Sequence, residues 1–325
     1  MSSKATKKPL VSIIALNWNG QKFIDPLVES VRSQVLKDID IEFLFVDNGS
    51  TDNSVEYFKK KFKDKNFRVI ENGGNYGYSK GNNLGMKQAR GDYILVCNND
   101  LTLGKDIVQT LYSGLIKENA DLVVPKLMFL NKPGYINNAG SRLDKNNSWP
   151  VIEIGFGEKD EGQYDTVEEI TAFCGACVLF TRKFLSTVGM YDDRFFMYFE
   201  DSDLSWRGQT DNRKFVYIPK ALAYHHHTGT SVEGSPKFNH FVARNRVLIL
   251  LKNASPRVIL VGYKFAVKDH IIRHVKDLIK SILGRYSKRA ALRETRAGFK
   301  TFFAILFYTP YALGKRWGII KESTI

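Results

Sequence analysis

The sequence predicts an α/β fold with a mostly parallel sheet and helices on both of its faces. In the first hundred residues, short runs of apolar, β-branched residues alternate with stretches of helical period. The apolar runs are almost continuous, which is typical of strands buried on both faces of a parallel sheet. Polar clusters follow these runs, and ligands bind beyond the carboxyl ends of the strands in such sheets.

The predicted elements follow one another in a regular order up to residue 100. Strands are predicted at residues 11–16, 41–46, 67–71 and 93–97. Helices are predicted at residues 23–36, in the Lys-rich stretch after residue 54, and at residues 80–89. From residue 121 to about 170 the sequence is rich in Gly, Asn and Pro, which predicts hairpins and loops. Residues 172–180 form a compact apolar segment of small side chains.

The positive charge of the chain lies in its last part. The net charge is +14, and residues 232–325 contain 19 Lys and Arg but 5 Asp and Glu, so the rest of the chain is balanced. Residues 267–286 place apolar side chains at helical spacing with basic ones between them. We therefore expect residues 236–325 to be a basic amphipathic helical region that binds a polyanionic surface. An anionic membrane surface fits better than nucleic acid, because no recognised nucleic-acid-binding motif accompanies the charge.

The cysteines and the apolar runs bear on location. Three cysteines are too few for a disulfide framework and fit a reducing compartment. The N-terminal residues are polar and basic, and no apolar run reaches the length of about 18 residues that a membrane-spanning helix needs. We expect a cytoplasmic protein that is peripheral at the cytoplasmic face of the membrane.

Two polar clusters are suited to binding a nucleotide. Residues 47–54, DNGSTDNS, follow the second strand and offer acceptors and hydroxyls to a base or a ribose. A well-capped turn without a ligand is the alternative interpretation. Residues 75–83, NYGYSKGNN, open a helix with glycines that let a ligand approach, and a helix N-terminus favours phosphate.

Three further clusters are rich in groups that bind metals or protons. NND at residues 98–100 ends the fourth strand, and an oxygen-rich tripeptide there suits a hard divalent cation. In residues 195–207, FFMYFEDSDLSWR, three carboxylates follow five aromatic or apolar residues, which raises at least one pKa and predicts a general base. Acidic residues in the first turn of a helix are the alternative. Three consecutive histidines at 225–227 cannot all face one way, so one is expected to face the site.

Taken in order, these clusters resemble the GT-A glycosyltransferases of the large inverting family that includes bacterial rhamnosyltransferases. The matching strings are VSIIALNWNG, FLFVDNGSTDNS, NYGYSKGNN, ILVCNND, GACVLFTR, VGMYDDRFFMYFEDSDLSWR and YHHHTGTS. The resemblance implies a GT-A (Rossmann-like) catalytic domain at residues 1–235, with a nucleotide-binding half at about 8–120 and an acceptor half at about 121–235. RNRVLILLK, at residues 244–252, resembles the start of the family's helical tail.

The resemblance also implies roles for the donor-site residues. Asp47 and Ser50 match the positions that contact the nucleotide, and Asn75 and Gly77 match positions that line its pocket. The donor is then a nucleoside-diphosphate sugar, with dTDP or UDP as the expected nucleotide.

Asn98 and Asp100 match the outer positions of the family's DxD motif, which holds a divalent metal and the diphosphate, and Asn99 lies between them. Because Asn98 stands where the motif has its first Asp, Asp100 would be the main ligand of Mg²⁺ or Mn²⁺. His226 matches a histidine near the metal, with His225 as the alternative.

The resemblance assigns the chemistry to the acidic cluster. Asp201 matches the general base of the family's Glu-Asp pair, in which Glu200 is the other member. Asp203, Trp206 and Arg207 resemble residues that flank the acceptor or the diphosphate. The implied reaction transfers a rhamnosyl or other hexosyl unit with inversion to a saccharide or lipid-linked acceptor. A catalytically silent carbohydrate- or lipid-binding scaffold of the same fold is the alternative.

Overall fold

The computed structural model describes residues 8–226, 234–267, 272–284 and 287–325. Its strands are β1 (Leu10–Asn17), β2 (Asp40–Asp47), β3 (Phe67–Glu71), β4 (Tyr93–Asn98), β5 (Leu101–Leu103), β6 (Leu122–Phe129), β7 (Ile136–Asn138), β8 (Ser141–Leu143), β9 (Val151–Glu153), β10 (Glu168–Ile170), β11 (Cys177–Thr181) and β12 (Phe215–His225). Its helices are α1 (Gln21–Arg32), α2 (Ser54–Lys61), α3 (Gly77–Gln88), α4 (Ile107–Glu118), α5 (Arg182–Thr187), α6 (Glu200–Thr210), α7 (Pro236–Asn253), α8 (Pro256–Val267), α9 (Arg273–Ile282) and α10 (Lys288–Arg316).

The main sheet has the strand order β10-β12-β6-β11-β4-β1-β2-β3. The strands β4, β1, β2 and β3 are parallel, as the sequence predicts for the first hundred residues. Beyond β4 the sheet is mixed, because β11 runs antiparallel to both of its neighbours while β12 is parallel to β6. The carboxyl ends of β4, β1 and β2 therefore lie side by side, which brings the polar segments that follow them together.

Alternate residues of the central strands face two different hydrophobic cores. In β1, Ile13 and Ala15 join one core and Ile14 joins the other, and all three are fully buried. The first core also contains side chains of α1, α2 and α4, and the second contains side chains of α5 and α6. Because both faces of the strands are covered, apolar residues occur at consecutive positions along them.

Strand β6 lies in the middle of the sheet. It belongs to the stretch of the chain from residue 121 to about 170, for which the sequence predicts hairpins and loops. Pro125 and the charged Lys126 interrupt its apolar pattern. Lys126 is buried, and its Nζ lies 3.1 Å from a carboxylate oxygen of Asp160 and 2.5 Å from one of Asp165. These two ion pairs come from a later loop, so local sequence does not indicate that Lys126 can be buried in a strand.

The C-terminal helices pack against the acidic helix α6. Trp206 and Phe195 form a third core with apolar residues of α7, α8 and α10. On the same side, the buried Lys252 of α7 lies 2.7 Å from the carboxylate of Asp192 and 2.8 Å from that of Asp203. The predicted domain boundary at residue 235 stays a prediction. Helix α7 starts at Pro236 and is joined to α6 by the buried ion pair between Lys252 and Asp203.

The predicted amphipathic stretch overlaps α9. Ile272, Val275, Ile279 and Ile282 recur along it and are 44–73% exposed; Ile271 lies outside the described residues. In the described parts of the chain, no helix combines the length and the apolar character needed to cross a bilayer.

Candidate active site

Three strand ends are joined by a network of short polar side chains. Asn17, the last residue of β1, donates from Nδ2 to Asp47 Oδ1 at 3.2 Å and to Ser50 Oγ at 3.1 Å. Its Oδ1 accepts a hydrogen bond of 2.9 Å from Asn99 Nδ2. Asp47 Oδ2 in turn accepts from the backbone N–H of Gly49 and of Ser50. The predicted donor residues Asp47 and Ser50 are thus fixed relative to the NND turn through Asn17.

Two cavities open at this edge of the sheet. A cavity of about 480 Å³ is lined by Asp47, Ser50 and neighbouring residues of segments 47–56 and 71–74. A larger cavity of about 540 Å³ is lined by the predicted residues Asn75, Gly77, Asn98, Asn99, Asp100, Glu200 and Asp201. The structure therefore brings the second nucleotide cluster, the NND turn and the acidic pair to one cavity.

Gly77 is required where the two halves of the site meet. Its φ is +81°, and a Cβ atom there would lie 2.4 Å from the carbonyl oxygen of Phe196. Asn75 Oδ1 accepts from the Gly77 N–H at 3.0 Å and lies 3.2 Å from Nδ2 of Asn48. Helix α3 can thus begin directly against the loop that precedes α6.

The pairing of β5 with β12 decides which histidine faces the cavity. Leu101 of β5 lies opposite His225, which puts His225 Nε2 3.2 Å from Asp100 Oδ1. His225 Nδ1 lies 2.9 Å from Oδ1 of Asn137, which fixes the ring so that Nε2 faces Asp100.

The next residue, His226, packs edge-on against the ring of Phe23, with 5.4 Å between ring centroids. Successive side chains of a strand point to opposite faces, so His225 and His226 cannot both reach Asp100. The structure thus favours His225, the alternative, over the predicted His226. His227 and the residues up to 233 lie outside the described part of the chain.

Asp100 and His225 fit a divalent cation whose other ligands come from the substrate. Among the described residues no three His, Cys, Asp or Glu side chains cluster as a metal site. Mg²⁺ commonly binds to one or two carboxylates and takes its remaining ligands from phosphates and water. A carboxylate beside an imidazole oriented by Asn137 matches such an incomplete site.

The two carboxyl groups at the start of α6 are held very differently. Asp201 Oδ2 accepts the N–H of Gly175 at 2.9 Å, and its Oδ1 accepts the N–H of Ser202 at 2.6 Å. Glu200 is buried beside it, and its Oε2 has no hydrogen-bond partner within the described residues. One carboxylate is thus oriented by fixed donors, while Oε2 of the other has no donor among the described residues.

Burial raises the pKa of both groups. For Glu200, burial and the adjacent Asp201 raise the pKa well above its usual value. For Asp201, burial also raises the pKa, but the hydrogen bonds from Gly175 and Ser202 oppose the shift. Asp201 therefore ionises before Glu200 as the pH rises, which suits it to the role of base.

The loop before α6 is strained. Phe196, Tyr198 and Phe199 have φ values of 65°, 68° and 67°, and each such residue costs on the order of 1–3 kcal/mol. The Met197 N–H bonds to Phe195 O at 2.8 Å, which closes a tight γ-turn around Phe196. Strain of this kind persists only where surrounding contacts hold the backbone in place.

Asp203, Trp206 and Arg207, which are predicted to lie near the acceptor or the diphosphate, do not line this cavity. Asp203 is fully buried and pairs with Arg207 at 3.0 Å and with Lys252 at 2.8 Å. Arg207 also donates to the carbonyl oxygens of residues 188 and 190, and Trp206 belongs to the third core. Asp203 and Arg207 lie one turn apart on α6, and Asp203 also contacts Lys252 and Asn253 of α7.

The cysteines fit packing rather than redox chemistry. Cys97 and Cys177 are opposite each other on β4 and β11, and all three thiols are free. Burial raises the pKa of Cys97 to about 12 and also raises the pKa values of Cys174 and Cys177. Protonated thiols are poor nucleophiles.

Several residues of the site carry no strong local signal. Asn17, Trp18, Asn137 and Gly175 line or organise the cavity, but each is a single polar or aromatic residue at a strand end or in a loop. The position of Asn17 at the end of the first predicted strand could have indicated its role, because ligand sites collect at such ends. Asn137 belongs to β7, in the stretch from residue 121 to about 170 in which the sequence does not indicate where the individual strands lie.

Solved structures share this architecture. A mannosyltransferase from Pyrobaculum calidifontis in complex with GDP-Man and Mn²⁺ aligns with a TM-score of 0.54 and 16% identity over 97% of this chain and 89% of that one. GalNAc-T7 with UDP, GalNAc and Mn²⁺ aligns with a TM-score of 0.60 and 15% identity over 76% of this chain and 48% of that one. The predicted GT-A fold is confirmed.

Residues 12–189 match the family described as Glycosyl transferase family 2. The chain belongs to this family, as the sequence motifs predict.

Two relatives are named for their activities. The low-salt glycan biosynthesis hexosyltransferase Agl10 of Haloferax volcanii is 24% identical over 206 residues, or 62% of each chain. The N-acetylglucosaminyl-diphospho-decaprenol L-rhamnosyltransferase of Mycobacterium tuberculosis is 22% identical over 260 residues, or 73% of this chain and 82% of its own. The aligned region spans less than two thirds of the length of the first relative, the Haloferax volcanii hexosyltransferase.

The raised pKa of Glu200 predicts a pH-dependent cost to stability. Because the folded state favours the protonated form, the stability from this group is complete below about pH 4 and is lost as the pH rises through the folded-state pKa. Glu200→Gln should therefore raise the Tm at neutral pH by at least about 2 °C and lose this advantage at acid pH. Thermal unfolding between acid and neutral pH measures this difference.

The matched control is Glu169→Gln, because Glu169 is exposed. Its Tm should follow the wild type at every pH. A Glu200→Gln protein that is less stable than the wild type at neutral pH would contradict the pKa assignment.

Proposed function

We propose that this protein is a nucleotide-sugar-dependent glycosyltransferase that transfers a hexosyl unit with inversion. The observation that carries the proposal is one cavity lined by both Asp100 with His225 and Asp201 with Glu200. The first pair supplies a place for a diphosphate and its cation, and the second supplies a base. Family membership and the GT-A fold support the same activity.

The proposed reaction is a single displacement. Asp201 takes the proton from an acceptor hydroxyl while the oxygen forms a bond to the anomeric carbon. The bond between that carbon and the diphosphate oxygen breaks on the opposite side, so the configuration inverts. Gly175 and Ser202 hold Asp201 by hydrogen bonds and fix the direction in which its oxygen faces the acceptor. A bound Mg²⁺ or Mn²⁺ would neutralise charge on the leaving nucleoside diphosphate.

The donor we propose is a dTDP- or UDP-linked hexose, with a rhamnosyl-like sugar as the first candidate. Asp47 and Ser50 sit at the mouth of the smaller cavity, where carboxylate and hydroxyl oxygens suit a base or a ribose. The likeness to a rhamnosyltransferase supports the choice of sugar. The product belongs to cell-surface polysaccharide or glycolipid synthesis, in keeping with relatives named for glycan biosynthesis.

We further propose that the C-terminal helices dock on the cytoplasmic face of an anionic membrane and present the site to a lipid-linked acceptor. Phe299, Phe303 and Phe307 of α10 recur at intervals of four residues and are 58–75% exposed. The exposed apolar residues of α9 lie on the neighbouring helix. The excess of basic residues beyond position 232 adds attraction to anionic head groups.

The first prediction concerns the base. Asp201→Asn should lower turnover of the nucleotide sugar, measured as transfer or as donor hydrolysis, by about 100-fold or more, because it cannot accept the proton. Nucleotide affinity should stay within about threefold, because the variant leaves the donor half intact. Asp211→Asn, at the exposed end of the same helix, should keep full turnover. Full turnover by Asp201→Asn would contradict the role of Asp201 as base, and no turnover of any donor by the wild type would favour the silent scaffold.

The second prediction concerns the metal. A nucleoside diphosphate at a hundred times its Kd should stabilise the protein by about 2.7 kcal/mol, seen as a rise in Tm, and only with Mn²⁺ present. Asp100→Ala should abolish the metal-dependent part of this rise, while Asp106→Ala, an exposed neighbour, should not. A rise in Tm that is the same with and without Mn²⁺ would exclude Asp100 as a cation ligand.

The third prediction concerns the membrane. The double variant Phe303→Ser with Phe307→Ser should bind vesicles that contain anionic lipid about tenfold more weakly than the wild type. Ile116→Ser, which removes an exposed apolar side chain of α4, is the matched control. Binding should also weaken at high salt. Equal binding to neutral vesicles, or none to anionic ones, would contradict the proposal and leave a partner protein as the occupant of this face.

A further inference from the structure

The strained loop before α6 is held by two adjacent residues of α7 that no sequence motif assigned to the site. Asn245 is fully buried, and its Nδ2 lies 2.9 Å from the carbonyl oxygen of Phe195, 2.8 Å from that of Met197 and 2.8 Å from that of Tyr198. One amide group, with two N–H donors, therefore lies within hydrogen-bond distance of three carbonyl oxygens of the same turn. A carboxylate or an apolar side chain at this position would not supply these donors to the loop.

Arg244 fixes the direction of that amide. Its Nε donates to Asn245 Oδ1 at 2.8 Å, so Nδ2 must face the loop. Its Nη2 donates to the carbonyl oxygens of Arg194 and Phe195 at 2.8 and 2.7 Å. Burial lowers the pKa of Arg244 to about 10, so the guanidinium is still charged at neutral pH.

Aromatic contacts from α7 support the same loop. Phe196 stacks on Phe241 with 4.8 Å between ring centroids, and Tyr198 meets Phe238 edge-on at 5.0 Å. On the other side of the loop, the backbone N–H of Ser79 in α3 donates to Phe196 O at 3.2 Å. The loop is thus held between the nucleotide-binding half and the first C-terminal helix, and it ends directly at Glu200 and Asp201.

We propose that Asn245, oriented by Arg244, is a positioning residue that holds the 195–199 loop in its strained form and thereby sets the place of Asp201 in the cavity. The proposal rests on the proposed function, because it assigns Asp201 the role of base. This role makes α7, the first C-terminal helix, part of the catalytic unit, in addition to any role of the C-terminal helices in membrane docking. Asn245 does not line the cavity.

The test compares the same substitutions at two asparagines of α7. Asn245→Ala and Asn245→Asp should both lower kcat by about tenfold or more, since a small misplacement of a reacting group is costly. Asn245→Asp should be the worse of the two, because its carboxylate faces three carbonyl oxygens. Asn239→Ala and Asn239→Asp should both keep the wild-type kcat, because Asn239 is exposed and, among the described residues, its side chain donates to the nearby Gly234 O.

Two readouts separate positioning from a general loss of structure. The Kd for the nucleoside diphosphate should stay within about threefold in the Asn245 variants, because the hydrogen bonds of the Asn245 side chain go to Arg244 and to the backbone of residues 195–198 rather than to the strand-end network. Amide hydrogen exchange should become faster in residues 195–203 and stay unchanged in β1 and β2. Wild-type kcat in the Asn245 variants, or nucleotide binding lost in parallel with kcat, would overturn the proposal.

The exchange measurement also keeps this inference distinct from the proposed function. If the wild type turns over no donor, the proposed function fails, and faster exchange confined to residues 195–203 still supports the positioning role. Unchanged exchange in that segment overturns the positioning role whether or not the protein is an active transferase. Asn245→Ser, which keeps one donor, serves as a milder variant if the others fold poorly.

Discussion

Two carboxyl groups stand side by side at the start of α6, and most of the unusual features of the chain follow from keeping them there. Glu200 and Asp201 are both buried, and burial opposes the charge that a base must carry. Hydrogen bonds from Gly175 and Ser202 favour the ionised form of Asp201, while nothing comparable reaches Glu200 Oε2 in the described structure. A backbone that presents such a pair to a cavity has to be held in place from outside the helix.

The support comes from elements that precede α6 and elements that follow it in the sequence. Helix α3 meets the strained loop at Gly77, where no side chain would fit, and α7 holds it through Arg244 and Asn245. On the far side of α6, Lys252 lies between Asp192 and Asp203. Breaking a buried pair of this kind costs about 3–5 kcal/mol, because it leaves an uncompensated charge behind. The first C-terminal helix and the acidic helix therefore form one structural unit.

The half of the site that contains Asp100 and His225 depends on strand pairing in a similar way. Asp100 lies in the turn between β4 and β5, and β12 returns from far along the chain to pair with β5. The register of that pairing sets His225 beside Asp100 and turns His226 towards Phe23. A shift of one residue would exchange the two histidines, because neighbouring side chains of a strand face opposite sides.

The sequence by itself determined the α/β class, the first four strands, the family and the residues at the strand ends, because each depends on local pattern. Apolar runs of β-branched residues and the turns that follow them are read from a few consecutive positions, and Asp47, Asn98, Asp100, Glu200 and Asp201 all belong to such short strings. The sequence also indicated the basic C-terminal region, since the net charge of a segment can be counted without knowledge of the fold.

The tertiary structure alone decided the rest. It placed β6 in the sheet despite Lys126, because the balancing carboxylates come from a loop more than thirty residues later. It bound Asp203 and Arg207 away from the cavity, because they pair with each other, with Lys252 of α7 and with the carbonyl oxygens of residues 188 and 190. It chose His225 over His226 through register, and it brought Asn245 to the loop before Asp201. Each of these outcomes depends on a contact between residues far apart in sequence, which local patterns of polarity and spacing do not encode.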